Sequence, residues 1–511
     1  MSNAEKHERT IGELQSDLEA RQLSSLELVE IYLARIAALD TNLNSVISVN
    51  PDARTDAATL DGERRSNGPR GPLHGIPILV KDNIETADAM PTTAGSLALV
   101  DNHTGRDAPC IARLRRAGAI VLGKTNLSEW ANIRSSRSLS GWSAVGGLTR
   151  NPHVLDRTTS GSSSGSAAAI AASLAAAALG TETDGSITSP AEVCGIVGLK
   201  PTVGLVSRTH IVPISASQDT AGPMTRSVRD AALLLSMMAG RDRADSATHS
   251  ADKKRSDYVA ALLDTALSGA TLGIWRPRRA TTSTLAVFDT TLEVIASRGA
   301  RLVPLNDFRV PRKLAALEMQ VLLTELKAGL NTYLGTAAAT VKTRTLADVI
   351  AFNRQSAREL TLFGQDFFET AEAGLGVPDP AYRKARSASR RMARFALDRA
   401  FAKDTLDAIV TVTGGPAWRV DMIRGDDTSG TGSTTLPAVA GYPHLTVPMG
   451  QVLGLPVGIS FIGRAWEEAR LLSLGYAFEC AAAVSLRPQF LPSLEGVAEA
   501  AFARADPPHS H

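Results

Sequence analysis

Cysteine is scarce. Cys110, Cys194 and Cys480 are the only three in the chain, odd in number and far apart. They fit neither a disulfide framework nor a paired zinc-ligand pattern, and they read as small buried hydrophobes suited to a reducing compartment. A surplus of one charge is also missing: 54 basic residues face 52 acidic ones, a net charge of +2. Nothing in that balance suits a polyanion or an anionic bilayer, so neither nucleic acid nor membrane is expected as a partner. No segment reaches the ~18 consecutive apolar residues of a membrane span. The Ala-rich run Ala167–Leu179 comes nearest and is too short. The polar start Met1–Thr10 lacks the apolar stretch of a signal peptide. A soluble, cytoplasmic protein is the expectation. Internal repeats, low-complexity tracts and a clear linker are absent as well.

What is present is an ordinary globular composition, 44% apolar and 21% charged, over 511 residues. A large core is possible. Length alone allows roughly two to four domains, but without a linker one large α/β domain is favoured. Thr10 with Glu13, and Ser24 with Glu27, fit capping boxes; Leu26, Val29, Leu33 and Ile36 follow at helical spacing. A helical arm is expected over 1–70, a main domain over 71–490 and a tail over 491–511. Ile76–Val80 and Ala119–Leu122 are short apolar runs around a helical pattern at Asp107–Ala117, the signature of a parallel strand–helix–strand unit. Further strands are expected at Leu272–Trp275, Ala408–Val412, His444–Val447 and Val457–Ile462. Residues 134–166 and 180–223 read as irregular, and 240–400 as helix-rich without a motif.

Three features carry candidate chemistry, each with a bland alternative. Gly161-Ser162-Ser163-Ser164-Gly165-Ser166 is a Ser/Gly loop that opens an Ala-rich helix, whose first turn offers unpaired N–H groups. It also fits the nucleophile elbow G-x-S-x-G with Ser163 as nucleophile, but no strand precedes it and His444 sits in an apolar run. Gly180-Thr181-Glu182-Thr183-Asp184-Gly185-Ser186 is a polar turn whose N–H groups can converge on one point. Lys81 closes an apolar strand. It is an ordinary strand-end charge if solvated, and a base if buried, because desolvation lowers an amine's pKa.

Taken together and in order, these segments resemble a family. Gly161–Ala169, Leu179–Ile187 and Cys194–Thr202 look like the amidase signature, with Lys81-Asp82-Asn83, Gly123–Asn126 and Asp219–Met224 in the expected places. Ser138–Ser143, Thr149–Pro152 and Gly204–Arg208 look most like the peptide amidases. The resemblance implies a single mixed α/β domain, a central sheet covered by helices. It implies Ser186 as nucleophile, Ser162 preceded by a cis peptide as proton carrier, and Lys81 as base. It further implies an oxyanion hole from Thr183, Asp184, Gly185 and Ser186, with no metal and no cofactor. Thr188 replaces an Arg common in the family, and Asp184 and Ser164 replace glycines, so these changes bear on the pocket more than on the relay. The implied substrate is a C-terminal peptide amide. An aryl amide, carbamate or small aliphatic amide is the alternative, as is service within an amidotransferase assembly. The loop Trp130–Trp142 is a candidate pocket wall. Oligomeric state leaves no mark on the sequence.

Overall fold

Thr10 and Ser24 act as their spacing predicts. Each hydroxyl accepts the backbone N–H three residues on, and Glu13 and Glu27 reach back to the cap N–H, opening the helices Ile11–Glu19 and Ser25–Leu43. Leu14, Leu28, Val29 and Tyr32 bury their side chains, so this arm packs onto the main core through one apolar face. The computed structural model describes residues 6–427 and 432–495. Of the tail placed at 491–511, residues 496–511 therefore lie outside the described part.

The strands are β1 (Val46–Val49), β2 (Pro77–Lys81), β3 (Ile120–Thr125), β4 (Trp142–Ser143), β5 (Gly147–Leu148), β6 (Ala177–Glu182) and β7 (Val197–Lys200). They continue with β8 (Thr220–Thr225), β9 (Thr271–Ile274), β10 (Arg301–Pro304), β11 (Ala408–Val412), β12 (His444–Val452) and β13 (Leu455–Ile462). Eleven of them form one sheet in the order β1-β3-β2-β6-β8-β7-β12-β13-β11-β9-β10, and β4 with β5 makes a small separate hairpin. The sheet is mixed. β2 runs parallel to β3 and β6, β9 runs parallel to β10 and β11, and the pairs between β6 and β11 are antiparallel. The strand–helix–strand unit read from the sequence is β2, the helix Pro109–Arg116 and β3, joined in parallel as expected.

Two expectations need correction. The Ala-rich run is not one helix: the helix Ser164–Ala171 ends, the chain turns, and Ala177 begins β6 in the middle of the sheet. The stretch 180–223, irregular by its sequence pattern, holds β7, half of β6, most of β8 and the helix Thr188–Val193. These strands are buried on both faces, so their residues do not alternate between apolar and polar, and Ala, Gly and Thr carry little strand signal. β10 leaves no strand signal either; it is a short edge strand with exposed ends.

The helix-rich stretch departs from the sheet after β10 and returns at β11. Its helices Leu314–Gly335, Leu346–Gln355 and Asp366–Ala373 form a second core with Trp130, Ile133, Val212 and Ile214, while the helix Pro380–Asp404 buries Ala393, Leu397 and Phe401 in a third, against Trp275 and Leu436. A buried ion cluster fastens this excursion to the loop after β3. Arg134 Nη1 lies 2.8 Å from Glu129 and 3.0 Å from Glu359, and its guanidinium stacks 4.2 Å from the Phe363 ring. Glu359 also accepts from Ser96 Oγ and Leu97 N. Removing the cation strands two enclosed carboxylates, a loss that costs about 3–5 kcal/mol in buried pairs. Arg134→Met is expected to lower stability by that amount in a urea titration; an unchanged midpoint would show that the cluster contributes nothing.

Candidate active site

β2 and β6 are neighbouring parallel strands, with Val80 paired to Leu179. That register brings the end of β2 beside the end of β6, so Lys81 meets Thr181 across the seam. Lys81 Nζ donates to Thr181 Oγ1 at 2.9 Å and to Thr181 O at 3.3 Å. Its third hydrogen bond is with Ser162 Oγ at 2.8 Å, donated by the charged amine and accepted from the hydroxyl by the neutral one. Lys81 and Ser162 are wholly enclosed, whereas Ser186 keeps 9% of its surface exposed, which is the arrangement a nucleophile in contact with substrate requires. Burial pulls the Lys81 amine down to about 7, against the opposing pull of Glu182 and Asp219. Much of it is then neutral near pH 7 and able to accept a proton.

The Ser/Gly loop reaches this amine through close packing. The Gly161–Ser162 peptide is cis, as the resemblance implied. Gly165, at the start of the helix, lies against backbone: a Cβ there would stand 2.3 Å from Ser45 O and 2.5 Å from Asn126 O. Ser163, the nucleophile of the elbow reading, is otherwise occupied. Its hydroxyl donates to Thr181 O and accepts from Thr181 N, both at 3.2 Å, and no strand precedes it. His444 lies in β12 with Nε2 bonded to Ser460 Oγ, and burial lowers its pKa to about 3. The elbow has neither a free hydroxyl nor a base.

After β6 the chain folds into the turn Thr183–Ser186. Glu182 shapes it by accepting from Ile187 N, Thr188 N and Thr188 Oγ1. Gly185 takes φ +80°, in the left-handed region that favours glycine. Thr183 Oγ1 donates to Asp219, and Thr435 Oγ1 donates to Asp184. Among the described residues, the N–H groups of Thr183, Asp184, Gly185 and Ser186 donate no hydrogen bond inside the protein. Four successive unused donors beside one serine make a ready site for a developing negative oxygen. Thr188, standing where the family often has Arg, commits its hydroxyl to Glu182 and so belongs to the frame of the turn.

The two serine segments are tied by Ser163 N donating to Ser186 O at 3.1 Å. The Ser186 hydroxyl itself makes no hydrogen bond among the described residues, so its link to Ser162 is open here. Such bonds often close only when substrate is bound. A narrow cavity beside the amine is lined by Asn83, Ala131, Thr181, Thr183, Ile211 and Asp219. Ala131 places the loop Trp130–Trp142 at the wall of that cavity.

Sequence reasoning missed Thr181, which holds the amine, and Asn83, whose Nδ2 donates to the same Thr181 hydroxyl at 2.9 Å. Both sit within the motif blocks, but a threonine in a strand and an asparagine after one carry no chemical signal of their own. It also missed Gln218 and Glu318, contributed from outside the turn. Among the described residues no cluster of three or more candidate metal ligands occurs, and no helix is long and apolar enough to cross a membrane.

The family model for Amidase matches residues 27–472. The native peptide amidase from Stenotrophomonas maltophilia is 48% identical and superposes with a TM-score of 0.88, covering 94% of this chain and 98% of that one. A probable amidase of Arabidopsis thaliana is 38% identical over 497 residues, covering 95% of this chain and 92% of that protein. A glutamyl-tRNA(Gln) amidotransferase component from Coxiella burnetii is 35% identical over 486 residues, covering 93% of this chain and 97% of that protein. The chain belongs to the amidase family and is an amide-hydrolysing enzyme.

Proposed function

We propose that this enzyme deamidates C-terminal peptide amides through an acyl-enzyme on Ser186. The observation that carries the mechanism is the enclosed 2.8 Å hydrogen bond from Lys81 to Ser162, set beside a turn of unused N–H groups. Ser186 Oγ attacks the amide carbon and its proton passes to Ser162, whose own proton passes to the neutral Lys81 amine. The carbonyl oxygen becomes an oxyanion held by the N–H groups of Thr183–Ser186. The relay then runs in reverse: Ser162 protonates the leaving nitrogen, the C–N bond breaks and ammonia departs. Water attacks the resulting ester by the same route, the carboxylic acid leaves, and Ser186 recovers its proton.

The substrate reading rests on the 48% identity to a peptide amidase over almost the whole chain. The test is a panel of peptide amides, anilides, carbamates and small aliphatic amides given to the isolated protein, scored for ammonia against amine. Ammonia release from peptide amides at the highest kcat/KM is expected. Preference for anilides, carbamates or aliphatic amides would overturn the substrate and leave the relay standing. A chain inert alone but active with partner proteins would point to the amidotransferase role.

A further inference from the structure

Glu318, on the helix Leu314–Gly335, reaches out of the helical excursion to the underside of the nucleophile turn. It is 6% exposed. Its Oε1 accepts from Gln218 Nε2 at 2.8 Å, and the same amide nitrogen donates to Thr183 O at 3.2 Å, so one side chain bridges Glu318 to the turn. Asp184 lies within hydrogen-bond reach of Glu318. Asp184 Oδ2 is taken by Thr435, but Oδ1 is closed off from solvent and lacks a donor among the described residues. Two ionised carboxylates at that separation repel, whereas a proton held between them gives Asp184 Oδ1 the partner it lacks.

We propose that Glu318 is a positioning residue: it holds a proton that it donates to Asp184, and with Gln218 it fixes the Thr183–Ser186 turn so that its N–H groups face the oxyanion. This rests on the function proposed above and deepens it, because it gives the helical excursion a part in the chemistry. The groups around the pair are consistent with a retained proton. From the turn, Asp184 faces Glu318; from the segment before β8, the neutral Gln218 does. Thr434 and Thr435 face Asp184, and Lys200 and Glu182 act on Asp184 from β7 and β6. The long helix Pro380–Asp404 also packs on Leu314–Gly335, but it directs Tyr382 and Arg386 to Glu325 instead.

Burial, followed by the Asp184 charge, raises Glu318 to about 9. The proton is therefore present below that pH and lost as pH rises through it, and turn geometry should loosen on the alkaline side. The experiment uses the full chain with Glu318→Gln and Glu318→Ala. It reads the rate of Ser186 labelling by a fluorophosphonate, and kcat and KM for a peptide amide, from pH 7 to 10.5. Glutamine donates permanently. Glu318→Gln is thus expected to stay within about threefold of wild type at pH 7 and to lose the alkaline fall in rate. Glu318→Ala is expected to lower kcat and labelling about 10- to 100-fold at pH 7, with KM little changed. An alkaline fall in Glu318→Gln identical to wild type, or wild-type rates in Glu318→Ala, would overturn the proposal. If Glu318→Ala does not fold, the Glu318→Gln profile decides. Wild type that labels Ser186 but spares peptide amides refutes only the substrate, and the labelling profiles still decide. Wild type that does not label at Ser186 refutes the nucleophile and this proposal with it.

Discussion

Ser186→Ala is expected to lower amide turnover by at least about 10⁴-fold while the melting temperature stays within error of wild type. The rate loss follows from covalent chemistry: without Oγ no acyl-enzyme forms, and water would have to attack an unactivated amide in the same site. The fold should survive because the Ser186 hydroxyl makes no hydrogen bond among the described residues. What Ser186 contributes to structure is its carbonyl, which accepts from Ser163 N and is kept in alanine. Burst kinetics and intact mass after fluorophosphonate treatment give the check. Turnover above about 1% of wild type in a folded, purified variant would remove Ser186 as nucleophile, since a serine relay without its serine does not retain that much activity.

Lys81→Met is expected to lower kcat by about 10²- to 10⁴-fold, the range of a lost general base. It should do so without lowering stability at pH 7. Burial holds the Lys81 amine at about 7 against an ordinary 10.5. The unfolded chain therefore binds this proton more tightly than the folded one, and folding at pH 7 bears a cost of roughly 4–5 kcal/mol at this site. That cost shrinks as pH rises from 7 towards 10.5. A methionine of similar length avoids it, though it leaves Thr181 and Ser162 without their donor. In wild type the sign for activity is the same: the base is competent when neutral, so kcat/KM should climb as pH rises through about 7 and level off before the alkaline fall expected from Glu318 near 9. A variant with wild-type kcat, or a wild-type rate that falls as pH rises from 6 to 8, would dismiss Lys81 as base.

The legible parts of the site are those whose residue types are chemically unusual where they stand. A lysine at the end of an apolar strand and serines among glycines draw notice, and ordered motif blocks make them one group. The parts that stay hidden are chemically common. Thr181 is one more threonine in a strand, yet its hydroxyl accepts from both the Lys81 amine and Asn83 Nδ2. β7 and the second half of β6 look like loop, and the first half of β6 like helix, because a strand buried on both faces needs no alternation, and alanine and glycine prefer it weakly. Glu318 could not be found from the chain, since more than 130 residues part it from the turn it supports. Helix ends are the easiest to place, because a capping box is written within four residues and needs no distant partner.

The helical excursion leaves the sheet at β10 and re-enters at β11, the two strands on either side of β9. Its entrance and exit are thereby pinned a fixed distance apart, whatever lies between them. A segment with anchored ends can lengthen, shorten or exchange helices at small entropic cost while strand order is untouched. Two of its residues are tied to fixed partners, Glu359 to Arg134 and Glu318 through Gln218 to Thr183, so only rewriting that keeps those two contacts would leave stability and rate in place. The sheet thus sets where this stretch begins and ends, and those two contacts set what it must still deliver to the loop and the turn.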